Sequence, residues 1–385
     1  MKSYVVKLRD QEENNKLGYL IRKTEITTGG KSIGGIVKIP HYLNKRLGVT
    51  SQINEVVITF TLKDIEDIDE HNNQRDNFIN ERVKGEMSKN KINVVFVRIS
   101  RSDGSGFSDL KKNIDKISEF VLDIIYSQPM VDIVTLPHVE FLKNDLPDTL
   151  VEFDNLIGER ISEMASFGEG SGKIAYFLPS YYTRDGIPKL IDSYVSRFGA
   201  DAIYICDFDG GTFSGIGYSL VSQISRKLQK DIGSESYSLY VYSQKERKRS
   251  GDEVLSEDLL ALMNQVSIVG PSHKRLILPK GVIEEIKKKQ EFNPKIFNQS
   301  DFLYYPYAKV PTANEFETWI DGVSGETKTL ALEHKKRLAD VYNAKQTQTA
   351  IEQVINEPEK TVTALVREEF KDGLKQINSR MRKMH

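Results

Sequence analysis

The feature that most constrains the fold of this chain is an alternation between two hydrophobic periods. Short runs rich in β-branched and aromatic residues recur eight times: "VVITFTL" (56–62), "NVVFVRIS" (93–100), "VDIVTLP" (131–137), "IAYFLP" (174–179), "ADAIYICDF" (200–208), "YSLYVYS" (237–243), "QVSIVGP" (265–271) and "DFLYYPY" (301–307). Their near-continuous apolar character is what strands buried on both faces of a parallel sheet require. Between them the period changes to three or four. Leu110, Ile114, Ile117, Val121 and Ile124 form one stripe; Ile187, Leu190, Ile191, Tyr194 and Phe198 form a second; Leu220, Val221, Ile224 and Leu228 a third; Val282, Ile283 and Ile286 begin a shorter one. Gly199 stands where a helix C-cap belongs. Eight strand–helix beats over about 250 residues match a (β/α)8 TIM barrel. A doubly wound open sheet is the rival arrangement of the same α/β alternation. The barrel is the expectation carried forward.

The flanks do not share this rhythm. Residues 1–55 place Gly29–Gly30 and Gly34–Gly35 between alternating segments, which predicts a β-hairpin layer packed on the floor of the barrel or leading into its first strand. The barrel is expected over 56–311. Residues 312–385 read as a C-terminal helical extension, a long helix broken at Pro358 and a basic closing segment.

Charge and cysteine content narrow the function classes. The 385 residues carry 54 Lys and Arg against 55 Asp and Glu, so no global field points to a polyanion or a membrane surface. Cys206 is the single cysteine, which excludes an internal disulfide and a zinc site built from cysteines. No apolar stretch has signal-peptide or membrane-span length, and a cytoplasmic protein without membrane association is expected.

In a barrel, chemistry is delivered from the C-terminal ends of the strands. Those ends are polar here: Lys63 and Asp64, Arg101 to Asp103, His138 and Glu140, Tyr181 and Tyr182, Asp207 and Asp209, Gln244 and Lys245, Ser272 to Lys274, Tyr307 and Lys309. Polar turns account for part of that pattern on their own. In "ICDFDGGTFSG", Asp207 and Asp209 alternate about Phe208, so both carboxylates can face one side, hold a divalent cation, or divide into acid and base. Gly210 and Gly211 would admit a ligand close to the backbone. The competing reading makes Asp209 the start of a turn and Asp207 a helix cap. His138 and Glu140, two apart, could join Asp207 in an acid–base or hard-metal set. His273 is a further polar candidate after the seventh run. Lys245, Arg247, Lys248 and Arg249, interrupted by Glu246, form a local cationic cluster that suits phosphates or is a solvated loop.

"SDGSGF" (102–107) is neither a dinucleotide fingerprint nor a Walker loop. An Asp ahead of glycines after a strand fits a loop that carries one acid into the barrel mouth.

That loop, with "IRKTEITTGGKSIGGIVKIPHYL" and "MVDIVTLPHVEF", resembles the tRNA-guanine transglycosylase family, whose catalytic domain is a (β/α)8 barrel. "SDGSGFSDL" is similar to the family's Asp-Ser-Gly-Gly-Phe-Gln loop. The resemblance implies a tRNA-modifying transferase that binds RNA or a purine-like base. It puts Asp103 where relatives keep an acid that handles the exchanged base, with Ser102, Gly104 and Phe107 around it, and Gly210–Gly211 at the segment lining the base pocket. Three departures accompany it. The end of the seventh strand offers Val269–Gly270 in place of the family's Phe-Asp nucleophile. Leu136–Pro137 stand where the base-recognising Asp belongs. The family's three-Cys, one-His zinc site cannot form with Cys206 alone. Covalent glycosyl transfer needs a nucleophile, so the expectation is a divergent base- or RNA-binding barrel with catalysis by Asp103, Asp207 and Asp209 left open. Two alternatives stand beside it: an unrelated barrel enzyme using Asp207, Asp209 and His138 with a divalent cation, and a non-catalytic scaffold that forms a homodimer through its C-terminal helices.

Overall fold

A computed structural model of the chain describes residues 4–39, 51–142, 144–165, 171–182, 185–242, 247–248, 254–270, 294–307, 313–324 and 332–364. Its strands, in chain order, are β1 (Tyr4–Asn14), β2 (Tyr19–Thr28), β3 (Lys31–Gly35), β4 (Val37–Lys38), β5 (Ile53–Phe60), β6 (Ile92–Ile99), β7 (Ile133–Thr135), β8 (His138–Val139), β9 (Ile174–Pro179), β10 (Ile203–Asp207), β11 (Ser238–Tyr242), β12 (Arg247–Lys248), β13 (Val254–Leu255), β14 (Val266–Val269), β15 (Lys295–Asn298) and β16 (Leu303–Pro306).

Nine of these make one sheet in the order β4-β14-β11-β10-β9-β7-β6-β5, with β8 also paired to β6. Every pairing in it is parallel. Residues of β9, β10, β11 and β14 are buried throughout, as a sheet covered on both faces demands. Helices flank it: Phe107–Lys112 and Ile114–Phe120 after β6, Pro147–Ala165 after β8, Gly186–Phe198 after β9, and Tyr218–Arg226 after β10. The predicted stripes are the buried faces, with Leu110, Ile117, Val121, Ile187, Leu190, Leu220 and Ile224 all at or near zero exposure. Gly199 ends its helix at φ +87°, its N–H donating to the Val195 carbonyl. Pro137, which has no N–H to give, separates β7 from β8.

Alternation along each strand creates two cores. Val56, Val95, Leu178, Cys206 and Val241 pack under the helices. Their neighbours Phe96, Phe177, Ile205, Tyr240, Tyr242 and Ile268 pack on one another on the opposite face. Phe96 of β6 stacks on Tyr242 of β11 with centroids 4.2 Å apart, although three strands intervene. A flat sheet would hold those strands about 19 Å apart at the usual spacing. The sheet is therefore curled around its inner face.

The antiparallel sheet β1-β2-β3 covers the N-terminal ends of the parallel strands. The Tyr4 hydroxyl donates to the carbonyl of Ile174 at 2.7 Å, Thr24 bonds Ser238 at 3.1 Å, and Lys31 pairs with Asp132 at 2.7 Å. Arg22, buried, lays its guanidinium 3.9 Å over the Tyr237 ring and donates to the Glu235 and Tyr237 carbonyls.

Two expectations change. The eighth run, 301–307, is not a parallel strand of the central sheet: β16 lies antiparallel in a separate four-stranded sheet, β12-β13-β16-β15. The strand that adds to β14 in parallel is β4, a two-residue strand within the segment expected as a hairpin layer on the barrel floor or a lead into its first strand. Two residues of strand give too short a periodic signal to read. The long helix Leu332–Asn356 and the break before Pro358 are as expected, whereas Val282, Ile283 and Ile286 lie outside the described residues. Among those residues no helix is long and apolar enough to cross a membrane.

Phe96→Ala empties the centre of the inner core and is expected to cost about 3–5 kcal/mol of unfolding free energy by urea titration. Val5→Ser, at an exposed site on β1, is expected to change it by less than about 0.5 kcal/mol.

Candidate functional site

The loop after β6 is held by its own contacts. Arg101 donates to both carboxylate oxygens of Asp145 at 2.7 Å and to the Ser105 carbonyl at 3.0 Å, and lies 4.7 Å over the Phe107 ring. Gly104 turns the chain at φ +87°, a conformation that favours glycine. Asp103 is exposed and accepts from the backbone N–H of Ser105 at 3.0 Å and of Lys63 at 3.4 Å. Partial burial raises its pKa, but the bonds from Ser105 and Lys63 outweigh that and leave it below the ordinary carboxylate value. Ser102 is exposed and linked through the Ser100 hydroxyl to Glu140. Asp64 belongs to a capping box with Thr61.

After β10 the two acids separate. Asp207, 8% exposed, is the last residue of the strand. Asp209 has left it, exposed and at φ +45°, and its N–H donates to Asp207 Oδ1 at 2.8 Å. Gly210 at φ +75° and the Gly211 N–H donating to the Phe208 carbonyl at 2.6 Å complete the turn. Asp209 is thus a turn residue and Asp207 faces inward. No bond joins Asp103 to Asp207: each is held by its own neighbourhood. Lys245 and His273 lie outside the described residues.

A different group surrounds Asp207. Register pairs Asp207 with Tyr242 and Arg98 with His138. Arg98 donates to Glu140 Oε1 at 2.9 Å, both part-exposed, while the Ser100 hydroxyl donates to Glu140 Oε2 at 3.1 Å. Tyr242 is raised by burial first, then by Asp207 and Glu55, with Arg98 acting oppositely, so these four groups share one neighbourhood. Tyr181 is raised by burial and by the same Asp207, again against Arg98.

Ring faces enclose the polar groups. His138 stacks on Phe177 at 4.2 Å, Phe141 on Tyr181 at 4.6 Å, and Tyr242 on Phe96 at 4.2 Å. Burial and then the Arg98 charge lower the His138 pKa to about 3, which makes it a neutral imidazole at ordinary pH. Its Nδ1 is buried without a hydrogen-bond partner. The loop carrying Phe141 also exposes Leu142 (40%) and Leu146 (69%).

Of the expected residues, His138 is acted on by Arg98, and Asp207 acts with Arg98 on Tyr242 and Tyr181. Arg98, Phe141 and Tyr242 are not among the residues expected from the sequence, which gives Tyr181 only as a polar strand end. A partial signal existed: counting by two from the inward Phe96 brings Arg98 to the same face. Among the described residues no group of three His, Cys, Asp or Glu side chains could hold a metal ion. Neither the family models nor the curated proteins compared with this chain give a match.

Behind the ring faces lies a buried acid. Asp154, on helix Pro147–Ala165, accepts from the Tyr182 hydroxyl at Oδ2, while Oδ1 has no partner. Burial raises its pKa to about 7, only partly opposed by that bond. The folded state then holds a proton that the unfolded chain releases near pH 4, so stability falls as pH rises from about 4 to 7. Against Asp154→Asn, which keeps an acceptor for Tyr182, the wild type should lose stability across that window with a slope approaching about 1.4 kcal/mol per pH unit. Urea midpoints of both proteins at pH 5 and 8 check this.

Proposed function

We propose that the curled sheet closes as a (β/α)8 barrel, with β4 as first strand and β14 as eighth, and that the chain is a divergent tRNA-guanine transglycosylase-like protein binding a nucleobase, free or within tRNA, at the C-terminal mouth. Supporting closure, β14 pairs with β4, and Tyr240 of β11 donates to Glu55 of β5. The observation that carries the functional reading is the pairing of ring faces with an inward carboxylate: Asp207 beside Tyr242 and Tyr181, with Arg98–Glu140 and neutral His138 around it.

Each part suits a planar heterocycle. Ring faces stack on either base surface with little cost in sequence or shape. A carboxylate accepts from ring and exocyclic N–H groups, and an Arg fork donates to carbonyl and ring-nitrogen acceptors. A neutral imidazole adds an uncharged polar edge. Asp207, rather than the exposed Asp103, is the acid assigned to the base. The reading is one of binding; Gly270, after β14, has no side chain with which to attack a ribose.

Equilibrium binding of 2,6-diaminopurine and a tRNA mobility shift test the reading. Asp207→Asn should weaken base binding at least tenfold, about 1.4 kcal/mol, with an unchanged thermal midpoint, and Asp103→Asn should leave it as in the wild type. The tRNA complex should weaken steeply with salt. A wild-type protein that binds no purine at millimolar concentration, or an Asp207→Asn variant that binds as well, overturns it.

A further inference from the structure

The end of β14 looks empty in sequence, because Val269 is followed by a glycine. In the folded chain a carboxylate occupies that place from another strand. The Gly270 N–H donates to the Val241 carbonyl at 2.8 Å, which continues the β11–β14 register and sets Gly270 level with Tyr242. Tyr242 is itself level with Asp207. A Cβ at Gly270 would collide with Glu55 Oε1 and come within 3.1 Å of the Tyr240 ring. Glu55, part-exposed on β5, thus fills the side-chain position that glycine leaves vacant, and the Tyr240 hydroxyl donates to it there.

Along the rim this gives Asp207 on β10, Tyr242 on β11, and Glu55 over the end of β14. Two strand steps, about 10 Å, separate the β10 and β14 backbones, the Glu55 carboxylate reaches over the second of these from β5, and both acids act on the Tyr242 hydroxyl. The residue between the two acids along this rim is aromatic, and its ring and the flanking carboxylates suit a planar heterocycle with N–H groups on two edges.

We propose that Glu55 is the second ligand-reading acid of the mouth: Asp207 and Glu55 accept N–H donors from opposite edges of one planar heterocycle lying by Tyr242, so the preferred ligands carry amino or ring N–H groups on two edges. This rests on the base-binding reading above and names its specificity residue. Tyr240 is the positioning residue, its hydroxyl holding the Glu55 carboxylate over Gly270. The glycine is required for the same reason, since any side chain there displaces the acid.

The test compares 2,6-diaminopurine, with amino groups on two edges, and unsubstituted purine, by titration calorimetry on the full chain. Glu55→Gln retains an oxygen for Tyr240 but turns one acceptor into a donor. It should weaken 2,6-diaminopurine at least tenfold and purine less than twofold, with the thermal midpoint unchanged. Gly270→Ala, which leaves the carboxylate in the protein but moves it, should reproduce the loss. Equal weakening of both probes, or no weakening of either, overturns the role of Glu55. If Asp207→Asn weakens 2,6-diaminopurine and Glu55→Gln does not, the base site stands and this assignment alone falls. A wild type that binds neither probe removes both.

Discussion

The packing of Phe96 against Tyr242 is the contact on which the rest of the molecule depends. It brings together strands with three others between them in the sheet, which only a strongly curled sheet allows. Curling turns the alternate residues of every parallel strand toward one another, so Phe177, Ile205, Tyr240 and Ile268 form a core among themselves while their neighbours pack under helices. Burial on both sides gives each strand its near-continuous apolar character. The N-terminal sheet then covers one end of that inner core, with Tyr4, Arg22 and Thr24 bonded to the starts of β9, β10 and β11. The other end is left for polar chemistry.

At that end, burial does most of the electrostatic work. His138 is neutral because its ring lies against Phe177 near the Arg98 guanidinium, and Asp154 holds its proton because helix and loop enclose it. Arg98 lies in a part-exposed ion pair with Glu140. Removing an ion from water costs several kcal/mol unless a partner offsets it; here the charged groups sit at the rim and the neutralised ones behind it. The same ordering explains why the Phe141–Tyr181 stack stands outermost, with one ring over a third exposed.

The loops divide between holding and meeting a ligand. "SDGSGF" fits a loop carrying one acid into the mouth because Asp and Gly follow a strand, but the same residue types make turns, and the Asp103 oxygens accept from two backbone N–H groups. Asp209 is likewise a turn residue, its backbone N–H donating to the Asp207 carboxylate. Asp207 differs by only two positions, yet it is still within the strand and keeps the inward parity of Ile203 and Ile205. Parity inside a strand was legible; where the strand would stop was not, since strand ends depend on partner hydrogen bonds.

Seven of the apolar runs became parallel strands, and these runs, the helical stripes between them, the glycine that ends the helix before β10 and the break at Pro358 are all legible in the order of residues. These depend on local periodicity and on backbone limits of glycine and proline, which a residue carries wherever it is placed. Long-range packing set the rest: β16 lies antiparallel in a sheet separate from the parallel one, two residues near position 37 join β14, and Glu55 stands over Gly270. Each of those joins segments far apart in the chain through stagger between strands and mutual packing, and no local pattern encodes the offset at which two distant strands come to rest.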